Sequence, residues 1–232
     1  MKILGLITAR GGSKGIPGKN IAPAGGKPLI VWTVDEAKKS ASIDRLVLST
    51  DDAKIAEVCA AAGCEVPFTR PAELAGDASS HYLVVEHAVK WLEDNQGYIP
   101  DYVMLLQPTT PLRTHEDIDA AAALASEKNA DCVVTVSEIP VSPCYSRVIN
   151  KEGLLEDFFS KRDVFNPRRQ EVPVVYSENG AVYLIRRDTL LSERSLMPSK
   201  IHASIMPQER TLDIDSPWNL HLADLILRDR QR

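Results

Sequence analysis

The chain has little of what marks several common protein classes. Four cysteines, Cys59, Cys64, Cys132 and Cys144, stand among 232 residues without a Cys-x-x-Cys pair, and the five histidines are scattered without ligand spacing, so a structural zinc site is not expected. No apolar run approaches the roughly 18 residues of a membrane helix. The apolar run at the amino end carries one lysine and is broken by Arg10, too little for a secretory leader, so no membrane partner is expected. A soluble protein of the reducing cytoplasm is the natural reading, its cysteines acting as small core hydrophobes. The net charge of −5 lacks the basic excess of a nucleic-acid binder, so a local cluster of cations would serve a small anion. Internal repeats and low-complexity tracts are missing as well. The length fits one large domain, or one domain with an appendage.

Two familiar phosphate-binding signatures are also missing. The spacing Gly-Gly-x-x-Gly is not the dinucleotide fingerprint, and Lys19 is followed by Asn20 where a P-loop needs Ser or Thr. What stands in their place is Ala9-Arg10-Gly11-Gly12-Ser13-Lys14-Gly15-Ile16-Pro17-Gly18-Lys19-Asn20, directly after the apolar run Ile3 to Ile7. Glycines let backbone amides approach phosphate oxygens, and Arg10, Lys14 and Lys19 supply charge with no acidic residue among them. A strand emptying into this loop reads as a cradle for a polyanion.

Short apolar runs then alternate with segments of helical period. Helices are expected from about Leu29 to Lys39, Asp52 to Ala62, Tyr82 to Asn95 and His115 to Lys128, and strands at Ile3 to Ile7, Arg45 to Ser49, Glu65 to Phe68, Tyr102 to Gln107 and Cys132 to Val136. Nearly all-apolar strands in such units predict an α/β fold with a mainly parallel sheet covered on both faces. After Ser137 the rhythm breaks into prolines and a charged run that also holds Leu154, Leu155, Phe158, Phe159 and Phe165. That is too much apolar surface for a free linker, and the segment of about 138–173 reads as an arm inserted in a single domain and packed on another subunit. Strands resume with Val174 to Tyr176 and Ala181 to Ile185. Ser216 and Pro217 mark the start of a last helix, with Trp218, Leu222, Leu225 and Ile226 on one face.

Two further constellations carry chemistry. In Asp213-Ile214-Asp215, read as a strand end entering a helix, alternation places both carboxylates on one face, where they repel unless a cation sits between them. Oxygen-only ligands beside a phosphate cradle favour magnesium or manganese. Gln107, at the carboxyl end of its strand, should point into the same cleft as Arg10, its amide suited to a sugar hydroxyl.

Together with Ser49-Thr50-Asp51-Asp52, Arg70-Pro71-Ala72-Glu73-Leu74-Ala75, Gln107-Pro108-Thr109-Thr110-Pro111-Leu112-Arg113 and Asn179-Gly180-Ala181-Val182-Tyr183, the loop and the acidic couple resemble the acylneuraminate cytidylyltransferases, or CMP-sialic acid synthetases, in order along nearly the entire chain. The resemblance implies a Rossmann-like nucleotidyltransferase fold and a homodimer. It also implies attack by the anomeric hydroxyl of a nine-carbon 2-keto sugar acid on the α-phosphorus of CTP. CTP would be bound by Arg10, Gly11, Ser13, Lys14, Lys19, Asn20, Arg70 and Ser80, with the phosphates on Arg10, Lys14 and Lys19 and the cytidine on Asn20, Arg70 and Ser80. Gln107 and Tyr183 would face the sugar, Arg168 would complete a neighbour's sugar site, and Asp213 and Asp215 would hold magnesium. Arg10, Lys19 and Asp215 are the expected catalytic residues, Asp215 or a metal-bound hydroxide taking the sugar's proton. One position departs from the family: Tyr145 stands where many sialic-acid enzymes have a lysine, which leaves legionaminic, pseudaminic and deaminated acids open as substrates. The rival readings are an octulosonate-type cytidylyltransferase, a nucleotide-sugar-dependent glycosyltransferase and a nucleotide-binding module without turnover.

Overall fold

The computed structural model describes residues 1–13, 15–76, 79–141, 143–158 and 173–231. Lys14 and Arg168, both expected at the site, lie outside the described residues, as do Phe159 and Phe165 of the arm.

Ten strands and six α-helices are described: β1 (Ile3–Thr8), β2 (Pro23–Ala24), β3 (Lys27–Pro28), α1 (Leu29–Lys39), β4 (Arg45–Ser49), α2 (Ala53–Ala61), α3 (His81–Gln96), β5 (Tyr102–Leu106), α4 (His115–Lys128), β6 (Cys132–Glu138), β7 (Arg147–Ile149), β8 (Leu155–Asp157), β9 (Tyr176–Arg186), α5 (Arg187–Glu193), β10 (His202–Ile205) and α6 (Pro217–Asp229). Six strands form the central sheet in the order β10-β6-β9-β5-β1-β4, and β9 alone runs antiparallel to its neighbours. The α/β class and the mainly parallel sheet are as the sequence predicts.

The apolar strands are buried on both faces because helices cover both. Ile3 and Ile7 of β1 pack with Ile30 and Val34 of α1, Ile55 and Cys59 of α2, and Ile118 and Ala122 of α4. Leu4 and Leu6, one residue out of phase, pack with Val85, Val89 and Leu92 of α3 and Leu190 of α5. Cys59 and Cys132 are buried thiols pushed up to about 12 by burial, and Cys64 is raised by the same cause, as expected of small core hydrophobes. Among the described residues no helix is long and apolar enough to cross a membrane.

A third cluster matters more for function. Ile16 of the first loop, Ala24 of β2, Leu29 of α1, Leu112 after β5, Ile214 of the acidic segment and Ala223 and Leu227 of α6 are buried together. One small core therefore joins the glycine-rich loop to the aspartates almost 200 residues later in the chain. Helix α6 starts where expected, with Ser216 accepting from the Asn219 amide at 3.2 Å in a reciprocal cap. Its buried face is the opposite of the expected one: Ala223 and Leu227 point inward, whereas Trp218, Leu225 and Ile226 are exposed.

Three further expectations need correction. Glu65 makes a single bridge to Val47 and the chain then turns away, so Glu65 to Phe68 is not a strand. The two strands expected at Val174 to Tyr176 and Ala181 to Ile185 are one, β9, kept continuous across Ser177 to Gly180 by a register shift opposite Val134 and Val136. Asp213 to Asp215 is extended but pairs with no strand. The alternation survives all the same, with Ile214 fully buried and both aspartates outward.

Candidate active site

The site lies at the carboxyl ends of β1 and β5, where a parallel sheet leaves main-chain amides and loops facing a crevice. A cleft of about 440 Å³ there is lined by Arg10, Ser13, Gly15, Lys19 and Asn20 of the first loop, Gln107 to Thr109 after β5, and Asp215. Across from these stand Thr8, Leu74, Gly76, Ser79, His81 and Val84.

Loop and acidic segment touch directly. The Lys19 Nζ donates to the Ile214 carbonyl at 2.7 Å and lies 3.4 Å from Asp215 Oδ1. The Ile214 amide donates to the Thr109 carbonyl at 2.9 Å, tying the same segment to the loop that carries Gln107. Close packing also explains two of the glycines. A Cβ on Gly15 would sit 2.9 Å from the main-chain oxygen of Asp215, and one on Gly11 would sit 2.6 Å from Asp52 Oδ2. Asn20 is buried and its Nδ2 donates to the Arg10 carbonyl at 3.1 Å, fixing the turn on which Arg10 sits.

A second pocket of about 340 Å³ shares Gln107 with the first and adds Glu178, Asn179, Tyr183, Gln208 and Asp213. Asp215 faces the first pocket and Asp213 the second, so the acidic couple straddles their boundary. The Asp213 carboxyl is reached by solvent yet walled on most sides; that burial, with the charge of Asp215, holds its pKa above the ordinary value against a hydrogen bond from Thr109 and the charge of Lys19. Tyr183 is pushed up to about 12 by burial, then by Glu178 and Asp213. Asn179 is locked underneath, accepting from Thr135 Oγ1 at 2.7 Å and donating to Ser137 Oγ at 2.8 Å.

Arg113, buried to 2% exposure, braces both pockets from below. Its Nη1 donates to the Gln107 and Ala181 carbonyls at 3.2 and 2.7 Å, while burial draws its pKa down to about 10.

Of the residues expected from sequence, the structure brings Arg10, Ser13, Lys19, Asn20 and Asp215 together in the first pocket, Tyr183 and Asp213 in the second, and Gln107 at both. Gly11 belongs to the loop without lining the cleft, its amide donating to Asp51 Oδ1 at 3.2 Å. Arg70 lies behind the cleft wall, buried, donating to Ser49 Oγ, the Ser49 carbonyl and the Ala9 carbonyl. Ser80 is the exposed N-cap residue of α3, and its neighbours Ser79 and His81 line the cleft. Sequence reasoning missed Thr8, Ser79, His81 and Thr109. Thr8 shares the phase of Leu4 and Leu6, which turns it toward α3 and brings its Oγ1 within 2.8 Å of His81 Nε2. That phase was the available signal.

Magnesium can be tested against these residues. Two outward carboxylates on either side of a buried isoleucine, oxygen donors only, fit an ion usually held by one or two carboxylates with substrate phosphates and water. Among the described residues no cluster of three His, Cys, Asp or Glu side chains forms, so the couple would need ligand oxygens to complete the shell.

Comparison with known proteins places the chain. An N-acylneuraminate cytidylyltransferase from Streptococcus agalactiae is 34% identical over 93% of the chain, which spans only 51% of that relative. A CMP-N,N'-diacetyllegionaminic acid synthase from Legionella pneumophila is 31% identical over 100% of the chain and 98% of the relative, and a pseudaminic acid cytidylyltransferase from Campylobacter jejuni is 30% identical over 98% and 97%. Among solved structures, a CMP:2-keto-3-deoxy-manno-octonic acid synthetase complexed with CTP superposes with a TM-score of 0.71 at 20% identity, covering 99% of this chain and all of that one. At that identity the likeness speaks for the fold. The profile described as Cytidylyltransferase matches residues 4–220, nearly the whole sequence from the first strand into the last helix, and the chain belongs to that family.

Proposed function

We propose that this protein transfers CMP from CTP to the anomeric hydroxyl of a nonulosonic acid, a nine-carbon 2-keto sugar acid, releasing pyrophosphate. The observation that carries the reading is the pair of pockets meeting at Gln107 and the acidic couple: one is lined by loop cations, the other by hydroxyl and amide groups together with the carboxylates of Glu138, Glu178 and Asp213. A triphosphate in the first would present its α-phosphorus to a sugar hydroxyl in the second. The named relatives act on sugars of this type, and the two whose full length the chain spans bear legionaminic and pseudaminic names. Tyr145, in place of the lysine common in sialic-acid enzymes, points the same way.

Attack on phosphorus asks the protein for alignment and for charge where the leaving pyrophosphate accumulates it. Arg10 and Lys19, with Lys14 of the same loop, would grip the phosphates, and Asn20 holds the Arg10 turn in place. Gln107 and Tyr183 would orient the sugar. Magnesium, or manganese, on Asp213 and Asp215 would supply charge neutralisation for the phosphate oxygens. Asp215 is the expected proton acceptor.

Among the described residues the sugar pocket contains no Lys or Arg, although the substrate carries a carboxylate. This favours a cation delivered from elsewhere, and Arg168 of a second copy is our candidate, with the exposed apolar segment around Ile149, Leu155 and Phe158 forming the dimer contact. The test is to mix the protein with CTP, magnesium and a panel of N-acetylneuraminic, legionaminic, pseudaminic, deaminated and 3-deoxy-octulosonic acids, following pyrophosphate and CMP-sugar. Turnover with a nonulosonic acid is expected. Preference for the octulosonic acid, or CTP binding without release of pyrophosphate, would overturn the assignment.

A further inference from the structure

The catalytic reading leaves one polar pair of the cleft unused, Thr8 and His81. The lining falls into two groups. Lys19 and Asp215 are in contact and stand with Arg10, Gln107 and Thr109, whereas the segment Leu74, Gly76, Ser79, His81 and Val84 contributes no permanently charged side chain among the described residues. A triphosphate is drawn to the cations, which leaves the uncharged wall for the nucleobase.

On that wall His81 is the side chain able to discriminate between bases. Its Nε2 lies 2.8 Å from Thr8 Oγ1, and its Nδ1 makes no hydrogen bond with any described residue. The ring keeps solvent access, but the protein packed around it, followed by the charge of Arg70, lowers the imidazole pKa and favours the neutral ring with its single proton. When the Thr8 hydroxyl donates to Nε2 the ring proton sits on Nδ1, and this is the tautomer the inference requires. A donor aimed at a pyrimidine edge meets an acceptor at N3 of cytosine but an N–H at N3 of uracil. The pairing favours one base and opposes the other.

We infer that Thr8 and His81 act as one unit that reads the pyrimidine edge and sets the preference for CTP over UTP. The pair lies where β1 ends and α3 begins, two elements locked by the packing of Leu4 and Leu6 on Val85 and Val89, so its geometry is fixed before any nucleotide arrives. The inference rests on the cleft holding a cytidine nucleotide, as proposed above.

The experiment compares CTP and UTP in wild type and in the His81→Ala, His81→Gln and Thr8→Val variants, by steady-state kinetics and by calorimetric binding without sugar acid. His81→Ala should lower the CTP-to-UTP ratio of kcat/KM about tenfold, through KM for CTP, the effect of one lost hydrogen bond in a site that the bound base closes to water. Gln keeps an N–H of similar reach and should recover about half of that loss on a logarithmic scale; Thr8→Val should lower the ratio roughly threefold by releasing the tautomer. A folded His81→Ala protein whose ratio stays within twofold of wild type overturns the inference and leaves the proposed function standing. Wild-type protein that binds neither nucleotide overturns both.

Discussion

Arg10 and Arg70 look interchangeable in the sequence, two cations bordering the same expected nucleotide site, and the fold gives them different work. Arg10 lines the cleft, while Arg70 is turned inward to hold the carbonyls of Ala9 and Ser49 at the ends of β1 and β4. A guanidinium suits either duty because its five donors match phosphate oxygens and peptide carbonyls alike. Only the path of the backbone decides, and that path is not written in residue type. Arg10→Ala should therefore cut turnover on the order of a thousandfold with the urea midpoint nearly unchanged. Arg70→Ala takes the side-chain donor from the Ala9 carbonyl and from Ser49 Oγ, leaves the Ser49 carbonyl with the Ala9 amide alone, and should cost roughly 2 kcal/mol in stability. Equal loss of stability in both variants, seen in parallel denaturation and pyrophosphate assays, would contradict the division. The same limit explains why Ser80 was expected and His81 missed: adjacent residues at a helix start point in different directions.

At the scale of elements, the chain announced those whose ends carry chemical markers. The limits of α1 and α4 and the start of α6 agree with expectation, the last two because Thr114 and Ser216 form capping boxes. Strand β10 and helix α5 escaped notice, one a short edge strand with exposed Ile205, the other seven largely polar residues. Neither produces an apolar period long enough to detect. The antiparallel direction of β9 was equally hidden, since an apolar run has no polarity.

One junction between elements yields a pH prediction. Asp119 of α4 accepts from Ser40 Oγ at 2.5 Å, Ser42 Oγ at 2.7 Å and the amides of Ala41 and Ser42, fastening α4 to the turn between α1 and β4. Burial opposes ionisation, but these hydrogen bonds outweigh it and hold the carboxyl below its ordinary 3.8. An acid with a lowered folded pKa stabilises the fold above its unfolded pKa, and the contribution fades as pH falls through the folded value. Asp119→Asn should cost about 1 to 2 kcal/mol at pH 7, allowing for solvent screening, and the gap to wild type should begin to narrow below about pH 4 and keep shrinking as the pH falls further. Urea titrations at pH 3 to 7 measure it; a constant gap would show that the charge contributes nothing.

For the whole molecule, the decisive arrangement is the small cluster that buries Ile16 with Ile214. It makes the two ends of the sequence into one site. The sequence supplied the pieces, a cation-rich loop and an acidic couple, but their meeting depends on a long-range contact that no local pattern encodes. The apolar segment at Ile149, Leu155 and Phe158, exposed to 73%, 70% and 60%, is more than an isolated chain normally shows to water. Light scattering should give twice the 25.5 kDa chain mass, and Leu155→Asp should shift the protein toward monomer and weaken sugar turnover. A fully active monomer would remove the arm from the account.

The central claim is that loop cations and acidic couple hold the same metal-chelated triphosphate. Calorimetric titration of CTP with and without magnesium, in wild type and Asp215→Asn, addresses it most directly. The account predicts that magnesium tightens CTP binding at least about tenfold in wild type, some 1.4 kcal/mol, and that the substitution abolishes most of this gain. An identical magnesium effect in both proteins would contradict it.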